Sequence, residues 1–190
     1  MVTLADLDWP LQTERLLLRP LTHDDVDAIW AYRGMASVNQ WTGGHPVSRE
    51  ELAEHFLPED RVASTVVIEH SGQVIGDLMM VVGDGWAQRE VANTARHSQA
   101  TLGWTLAESH QGHGFATEAV GEALRICFDD LGVRRVIAEA FLANEPSWRL
   151  MERLGMRREA VHVQDSLHRD LGWLDGVLYA ILADEWRARR

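Results

Sequence analysis

Gln111-Gly112-His113-Gly114-Phe115-Ala116 is the most informative stretch of this 190-residue chain, because it separates a strand pattern from a helix pattern. The run 100–106 before it is typical of a short strand, and apolar residues after it recur every three or four positions, which predicts a helix over about 114–131. These apolar residues are Ala116, Ala119, Val120, Ala123, Leu124, Cys127, Phe128 and Leu131. A glycine-rich first turn leaves backbone N–H groups free at the positive end of a helix dipole. The stretch therefore predicts a cradle for a pyrophosphate.

The glycines alone do not identify the ligand, since a plain tight turn between strand and helix has the same composition. Two common phosphate loops are excluded. The chain has no Gly-x-x-x-x-Gly-Lys-Ser/Thr motif and contains no lysine. Gly112 and Gly114 are followed by Thr117 where the dinucleotide fingerprint has its third glycine.

The loop resembles the acyl-CoA loop of the GNAT N-acetyltransferase superfamily, Gln/Arg-x-x-Gly-x-Gly/Ala, through Gln111, Gly114 and Ala116. Thr117-Glu118-Ala119 is similar to the usual helix opening of that family. Other segments resemble its branch of ribosomal-protein alanine acetyltransferases. They are Thr13-Glu14-Arg15-Leu16-Leu17-Leu18-Arg19-Pro20, Asn144-x-x-Ser147, Glu152-Arg153-Leu154-Gly155-Met156, and Gly172-Trp173-Leu174-Asp175 with Tyr179 and Glu185-Trp186. The matches run from residue 13 to residue 186, so the resemblance implies the GNAT fold over nearly the whole chain.

The remaining patterns predict one α+β domain over residues 1–190, with mixed α/β layers and no linker or repeat. Strands are predicted at 15–20, 63–69, 73–82, 100–106, 136–141, 157–166 and 174–183. Helices are predicted after Thr22 and Asp25, from a Ser48/Glu51 capping box to Pro58, at about 114–131, and from Pro146 to Gly155. Residues 83–99 predict a long surface loop. The resemblance implies a mixed, largely antiparallel sheet flanked by helices, in which strands 100–106 and 136–141 splay apart into a cofactor slot.

Amino-acid composition and net charge limit the classes of partner that the chain is expected to bind. An apolar content of 46% with 25% charged residues is ordinary for a globular protein, and a formal charge of −11 argues against nucleic-acid binding. The charge favours cationic acceptors, although acidity also simply maintains solubility. No membrane-spanning run or signal peptide is recognised, and Cys127 lies on the buried stripe, so a cytoplasmic protein is expected. The histidines lack metal-site spacing, and no metal is predicted.

The resemblance implies acetyl-CoA as the acyl donor. The backbone N–H groups that would hold its pyrophosphate belong to Gln111, Gly112, His113, Gly114, Phe115, Ala116 and Thr117. The pantetheine arm would pair with the backbone of Trp104, Thr105 and Leu106, and the N–H of Thr105 or Leu106 would polarise the thioester. The His113 side chain either reaches a phosphate or is solvated. Asn144 either orients the pantetheine amide or caps a helix.

The resemblance also implies direct attack by an amine, with no covalent enzyme intermediate. Ser147 is the catalytic candidate, donating a proton to the leaving thiolate, and helix capping is its alternative role. Many family members have a glutamate where this chain has Thr101, which leaves the general base open. The carboxylates on or near predicted strands are Glu69, Asp77, Glu139 and Asp175. Trp41 and Trp86, in polar loops, form either walls of an acceptor site or parts of the core.

The expected function is acetyl transfer from acetyl-CoA to a primary amine, either a small molecule or a peptide N-terminus. The acting form is expected to be a monomer or a homodimer without a membrane or nucleic-acid partner. A non-catalytic acyl-CoA sensor is the alternative that Thr101 keeps open. Transfer of a longer acyl group is a further alternative.

Overall fold

The structure, a computed structural model, describes residues 2–189 in two compact units that interleave along the chain. The first unit runs to Met80 and resumes over Trp104–Ala123. The second consists of Val81–Gly103 and the chain from Leu124 onward.

Antiparallel strands make up the sheet of the first unit, in the order β1-β2-β3-β4. They are β1 (Leu11–Gln12), β2 (Leu17–Pro20), β3 (Thr65–His70) and β4 (Gln73–Gly83), whose last three residues belong to the second unit. The predicted hairpin around Ser71 and Gly72 is confirmed, because both residues have the positive φ angles, 51° and 76°, that tight hairpins require. The first predicted strand begins later than expected, at Leu17, because the N–H of Thr13 bonds the carbonyl of Leu16 in a turn.

Four short helices lie in the first unit: α1 (Val26–Arg33), α2 (Ala36–Asn39), α3 (Arg49–Phe56) and α4 (Glu59–Ser64). The predicted cap of α3 is confirmed, since Ser48 Oγ accepts a 3.2 Å hydrogen bond from the N–H of Glu51. Packing of α1 to α3 buries an apolar cluster. Its buried members are Leu21, Val26, Ile29, Tyr32, Val38, Leu52, Phe56 and Val67. Helix α4 was not predicted, and it delays β3 from the expected residue 63 to Thr65.

The long predicted helix is confirmed as α5 (Phe115–Arg125), which continues as a wider π-helical turn over Ile126–Asp130. Its predicted apolar stripe is buried, including Ala119 and Val120 at 0% exposure. Burial raises the pKa of the Cys127 thiol to about 12, so this thiol is neutral at physiological pH. The core role predicted for Cys127 is therefore confirmed.

The second unit carries β5 (Gln99–Leu106, which ends in the first unit), β6 (Arg135–Phe141), β7 (Arg157–His168) and β8 (Gly172–Leu182), in the order β5-β6-β8-β7. Strands β5 and β6 are parallel, and the other pairs are antiparallel. The described β5–β6 pairing ends at Thr101↔Ile137 although β6 continues to Phe141, in line with the predicted splay.

Helices α6 (Glu145–Arg153) and α7 (Ala183–Arg187) complete the second unit. Gly155, with φ at +85°, follows α6 as predicted, whereas α7 was not predicted. The predicted loop between β4 and β5 contains a 3₁₀ helix, Arg89–Ala95. The N–H of Gly85 bonds the carbonyl of Ala95 at 2.8 Å and so ties this loop together at its base.

Candidate functional site

The glycine-rich loop between β5 and α5 lies entirely in the first unit. Gln111 fixes its start, because Nε2 donates to the carbonyl of Leu106 at 3.1 Å. Gly112 and Gly114 have φ angles of +77° and +83°, a conformation that side-chain-bearing residues rarely adopt. A Cβ on Gly112 would meet no atom within 4 Å, and one on Gly114 would lie 3.3 Å from Arg15 Nη2. The loop is therefore open in front of the first turn of α5.

A carboxylate on α5 holds the loop to the turn that precedes β2. Glu118 accepts hydrogen bonds from Thr13 Oγ1 at 2.5 Å, from the Arg15 N–H at 2.7 Å and from Arg15 Nε at 2.7 Å. Arg15 Nη1 also donates to the carbonyl of His113 at 3.0 Å. Burial alone would raise the pKa of Glu118, but the bonds from Thr13 and Arg15 outweigh it and lower that pKa. Glu118 is thus ionised and neutralises Arg15.

Aromatic side chains surround Phe115, the first residue of α5. The ring of His70 lies 4.6 Å from the Phe115 ring, that of His113 at 6.0 Å and that of His110 at 6.2 Å. The Arg15 guanidinium stands 4.7 Å from the centre of the same ring. His110 and His113 flank the predicted phosphate loop in the sequence, whereas His70 belongs to β3, far away in the chain, and could not be linked to the loop from sequence.

The strand that leads into the loop contacts β4 through a glycine. A Cβ on Gly76 would collide with the carbonyl oxygen of Thr105, so only glycine permits this approach of the two backbones. Thr105 and Leu106 are buried, and Trp104 is half-buried. Their backbone is the one assigned to the pantetheine arm from sequence.

Asn144 and Ser147 lie together at the start of α6 in the second unit. The Ser147 N–H donates to the carbonyl of Asn144 at 3.2 Å, but the Asn144 side chain makes no capping bond. The Ser147 hydroxyl bonds no other residue in the described range 2–189. Both side chains are half-buried. Asn144 thus occupies the N-cap position of α6, as its alternative role expected, but the polar side-chain groups of both residues are available to a ligand.

Two of the four candidate bases are committed to arginines in the first unit. Asp77, 3% exposed, binds Arg33 through contacts of 2.5 and 3.1 Å and accepts the Tyr32 hydroxyl at 2.7 Å. Burial raises the pKa of Tyr32 well above its ordinary value, so that hydroxyl remains a donor. Glu69 accepts a 2.7 Å bond from Arg19 Nε. Both carboxylates are therefore already bound by arginine side chains.

The other two candidates lie in the second unit. Glu139 is exposed on β6, and Asp175 Oδ1 accepts the N–H of Gln164 at 2.9 Å. Neither forms an ion pair with a residue in the described part of the chain. Thr101 is half-buried on β5, where it pairs with Ile137. Glu139 and Asp175 thus remain the available carboxylates of the set.

The two tryptophans in polar loops differ in burial. Trp86, in the loop before β5, is 93% exposed and so is not part of the core. Trp41 is half-buried.

Two segments singled out in the sequence meet at Tyr179. Its hydroxyl donates to Glu152 Oε1 at 2.8 Å and accepts from Arg158 Nε at 2.7 Å. Burial, followed by the bond to Glu152, raises the pKa of Tyr179. These bonds of the buried Tyr179 to two exposed side chains join α6 to β7 and β8, which gives Glu152 and Tyr179 a structural role.

Over the described residues, no helix is long and apolar enough to cross a membrane. The same residues contain no group of three or more His, Cys, Asp or Glu side chains that could hold a metal ion.

Comparison with known proteins matches residues 15–157 to the family model of the acetyltransferase (GNAT) domain. The uncharacterized N-acetyltransferase YnaD of Bacillus subtilis (strain 168) is 27% identical over 180 residues, which cover 93% of this chain and 98% of the relative. The ribosomal protein uS5-alanine N-acetyltransferase of Escherichia coli (strain K12) is 32% identical over 89 residues, covering 47% of this chain and 45% of that one.

Solved structures share the fold. An acetyltransferase (GNAT family) from Bacillus anthracis has a TM-score of 0.78 at 24% identity, over 93% of this chain and 100% of that one. The spermidine N-acetyltransferase from Vibrio cholerae, solved with CoA and spermine, has a TM-score of 0.76 at 21% identity, over 92% and 99% of the two chains. The predicted α+β fold is confirmed.

The contacts of Asp77 with Arg33 and Tyr32 predict that removing its carboxylate lowers the stability of the fold. Asp77→Ala leaves the Arg33 guanidinium buried without its counter-ion, so the free energy of unfolding should fall by about 3–5 kcal/mol. Glu139→Ala, at an exposed position, should change it by less than about 0.5 kcal/mol. Urea denaturation of both variants provides the measurement. An Asp77→Ala protein as stable as the wild type would contradict the structural role.

Proposed function

The chain belongs to the acetyltransferase (GNAT) family, and we propose that it binds acetyl-CoA through Gln111–Thr117 and releases the thiolate with Ser147. As a member of this family it is an N-acetyltransferase that moves an acetyl group from acetyl-CoA to a primary amine. The observation that carries the proposal is the open glycine loop at the start of α5, held by Arg15 and Glu118. The family match spans residues 15–157, which include parts of both units, so we assign residues 1–190 to one catalytic domain.

Donor binding is assigned to backbone groups of the first unit. The N–H groups of the first turn of α5 and of the preceding loop suit a pyrophosphate, because they stand at the positive end of the helix dipole. The backbone of Trp104, Thr105 and Leu106 binds the pantetheine arm as an added strand would. Asn144, whose side chain makes no capping bond, orients a pantetheine amide.

The reaction is direct attack. The amine nitrogen attacks the thioester carbonyl carbon, the C–S bond breaks, and the Ser147 hydroxyl gives its proton to the thiolate. The proton that the nitrogen loses as the amide forms returns to Ser147 through water. The N–H of Thr105 or Leu106 stabilises the oxyanion. The amine must first lose a proton, which costs about 4–5 kcal/mol at neutral pH for a group with a pKa near 10.4. Glu139 or Asp175, through water, receives that proton.

We propose a cationic acceptor, either a polyamine-like small molecule or a basic peptide N-terminus. The formal charge of −11 attracts cations over a distance. A spermine-bound neighbour and a ribosomal-protein alanine acetyltransferase among the relatives are in keeping with both acceptor types. We also propose a cytoplasmic location, which the free, buried Cys127 suits, and a monomer or homodimer as the acting form.

Turnover of a defined acceptor panel tests this function. Spermidine, a basic peptide with an N-terminal alanine and an acidic peptide of equal length are each incubated with acetyl-CoA, and released CoA is measured with a thiol reagent. The cationic acceptors should be used with a kcat/KM that falls as salt rises, because salt screens long-range attraction. Tight acetyl-CoA binding without turnover of any amine would instead support the non-catalytic sensor. Absence of acetyl-CoA binding would contradict the donor assignment.

Ser147→Ala separates chemistry from stability. If the hydroxyl protonates the thiolate, kcat should fall by roughly 10²-fold while the Kd for acetyl-CoA changes little. The melting temperature should hold, because the hydroxyl bonds no residue in the range 2–189. Ser64→Ala is the matched control for stability, because it removes the hydrogen bond that Ser64 Oγ donates to the Asp60 carbonyl within α4. It should lower the melting temperature and leave kcat unchanged. A Ser147→Ala enzyme with wild-type kcat would eliminate the acid role.

A further inference from the structure

The proposed phosphate loop is short of permanent positive charge. The chain has no lysine, and the segment 111–117 has no arginine. Arg15 contacts the loop, but Glu118 neutralises it through a bond of 2.7 Å. Arg19 and Arg33, elsewhere in the first unit, are likewise paired with carboxylates. A ligand with several phosphate charges must therefore find its counter-charge in another kind of group.

Imidazoles are the titratable groups beside the loop. His70 on β3, His110 before the loop and His113 within it gather around Phe115, with 6.4 Å between the rings of His70 and His110. His110 and His113 are, in sequence, the residues that flank the two positions Gln111 and Gly112. Histidine is the side chain that most readily changes charge near neutral pH, and an anion placed beside an imidazole favours its protonated form.

Each of the three imidazoles has a ring nitrogen that can accept a proton. His70 Nδ1 lies 3.1 Å from the carbonyl of Arg15, and because a carbonyl only accepts, Nδ1 carries the proton and Nε2 is the basic atom. His110 Nδ1 lies 2.9 Å from Ser109 Oγ, a hydroxyl that can donate or accept, so either nitrogen of that ring can be the basic atom. The Nε2 atoms of His70 and His110, like both nitrogens of His113, bond no other residue in the described part of the chain.

The charged groups around the three histidines determine whether binding of an anion favours their protonation. Arg15 stands over Phe115 with its charge offset by Glu118 on α5, and Glu118 is in turn occupied by Arg15 and Thr13. Glu69, next to His70, is bound by Arg19, and Glu108, near His110, accepts the Ser37 hydroxyl at 2.7 Å. Glu14, beside Arg15, is exposed. With these carboxylates occupied or exposed, a bound phosphate becomes the strongest anion facing the imidazoles.

We propose that His70, His110 and His113 supply the positive charge for the phosphates of acetyl-CoA, and that the protein takes up a proton from solvent at an imidazole nitrogen when the donor binds. The inference rests on the proposed function, since it assumes that the loop binds acetyl-CoA. Its consequence is a donor affinity that depends on pH. Protonation favours the bound state, so the affinity is greatest at low pH and falls as pH rises through the imidazole range.

Calorimetry of acetyl-CoA binding, from about pH 6.5 to about pH 8.5, tests the proposal. The lower limit avoids the second ionisation of the ligand's own 3′-phosphate, near pH 6, which acts in the opposite direction. Titrations in two buffers of different ionisation enthalpy give the number of protons taken up. The Kd should rise about five- to tenfold over this range, with net proton uptake near neutral pH.

Two variants separate the histidine role from general charge. In His110→Gln/His113→Gln, checked for its fold by circular dichroism, the pH dependence should shrink to less than about twofold and proton uptake should fall accordingly. His23→Gln, an exposed histidine outside the cluster, should behave like the wild type. Acetylpantetheine, which has no phosphate, should bind without proton uptake.

Failure of this inference is distinguishable from failure of the function. Acetyl-CoA binding that shows no proton uptake would overturn the histidine proposal and leave the acetyltransferase intact. Uptake that persists in a triple variant also carrying His70→Gln, or that appears with acetylpantetheine, would overturn it as well. No binding of acetyl-CoA at any pH would overturn the function itself.

Discussion

The carboxylate of Glu118 is the constraint on which the proposed donor site depends. It accepts three hydrogen bonds from the turn that carries Thr13 and Arg15, more than 100 residues away in the chain. The arginine it orients then bonds the carbonyl of His113, so one carboxylate determines the position of the loop in front of α5. The same interaction removes the charge of Arg15 from the site, which leaves backbone dipoles and imidazoles to attract an anion.

Satisfied and unsatisfied polar groups distinguish structural from functional residues in this chain. Asp77, Glu69 and Tyr179 each meet strong partners within their own unit, and such groups contribute stability rather than chemistry. Asn144 and Ser147, by contrast, have half-buried side chains that no residue of the described range engages. Half-buried polar groups without protein partners are the expected state of residues that bind a ligand.

The main elements around the loop could be predicted from sequence because each carries a strong local signal. The apolar stripe of α5, the Ser48 cap of α3 and the glycine that follows α6 are patterns within a few residues, and all were found. Helices α4 and α7, of six and five residues, are too short for a periodic signal. The Arg15–Glu118 pair and the approach of His70 to Phe115 depend on tertiary contacts, so no local pattern could have predicted them. The candidate bases were recognisable as carboxylates from sequence. Which of them are paired with an arginine, and so occupied, depends on tertiary contacts and could be learned only from the structure.

Hydrogen–deuterium exchange, with and without acetyl-CoA, shows whether the loop binds the pyrophosphate, because it reports on the loop amides themselves without a substitution at a strained glycine. If the loop binds the pyrophosphate, amides in the peptide that spans residues 111–117 should exchange roughly tenfold or more slowly when acetyl-CoA is saturating. The exposed loop that carries Trp86 should be unchanged and serves as the internal reference. Protection elsewhere in the chain, with exchange at 111–117 unaffected, would contradict the assignment of the phosphate loop.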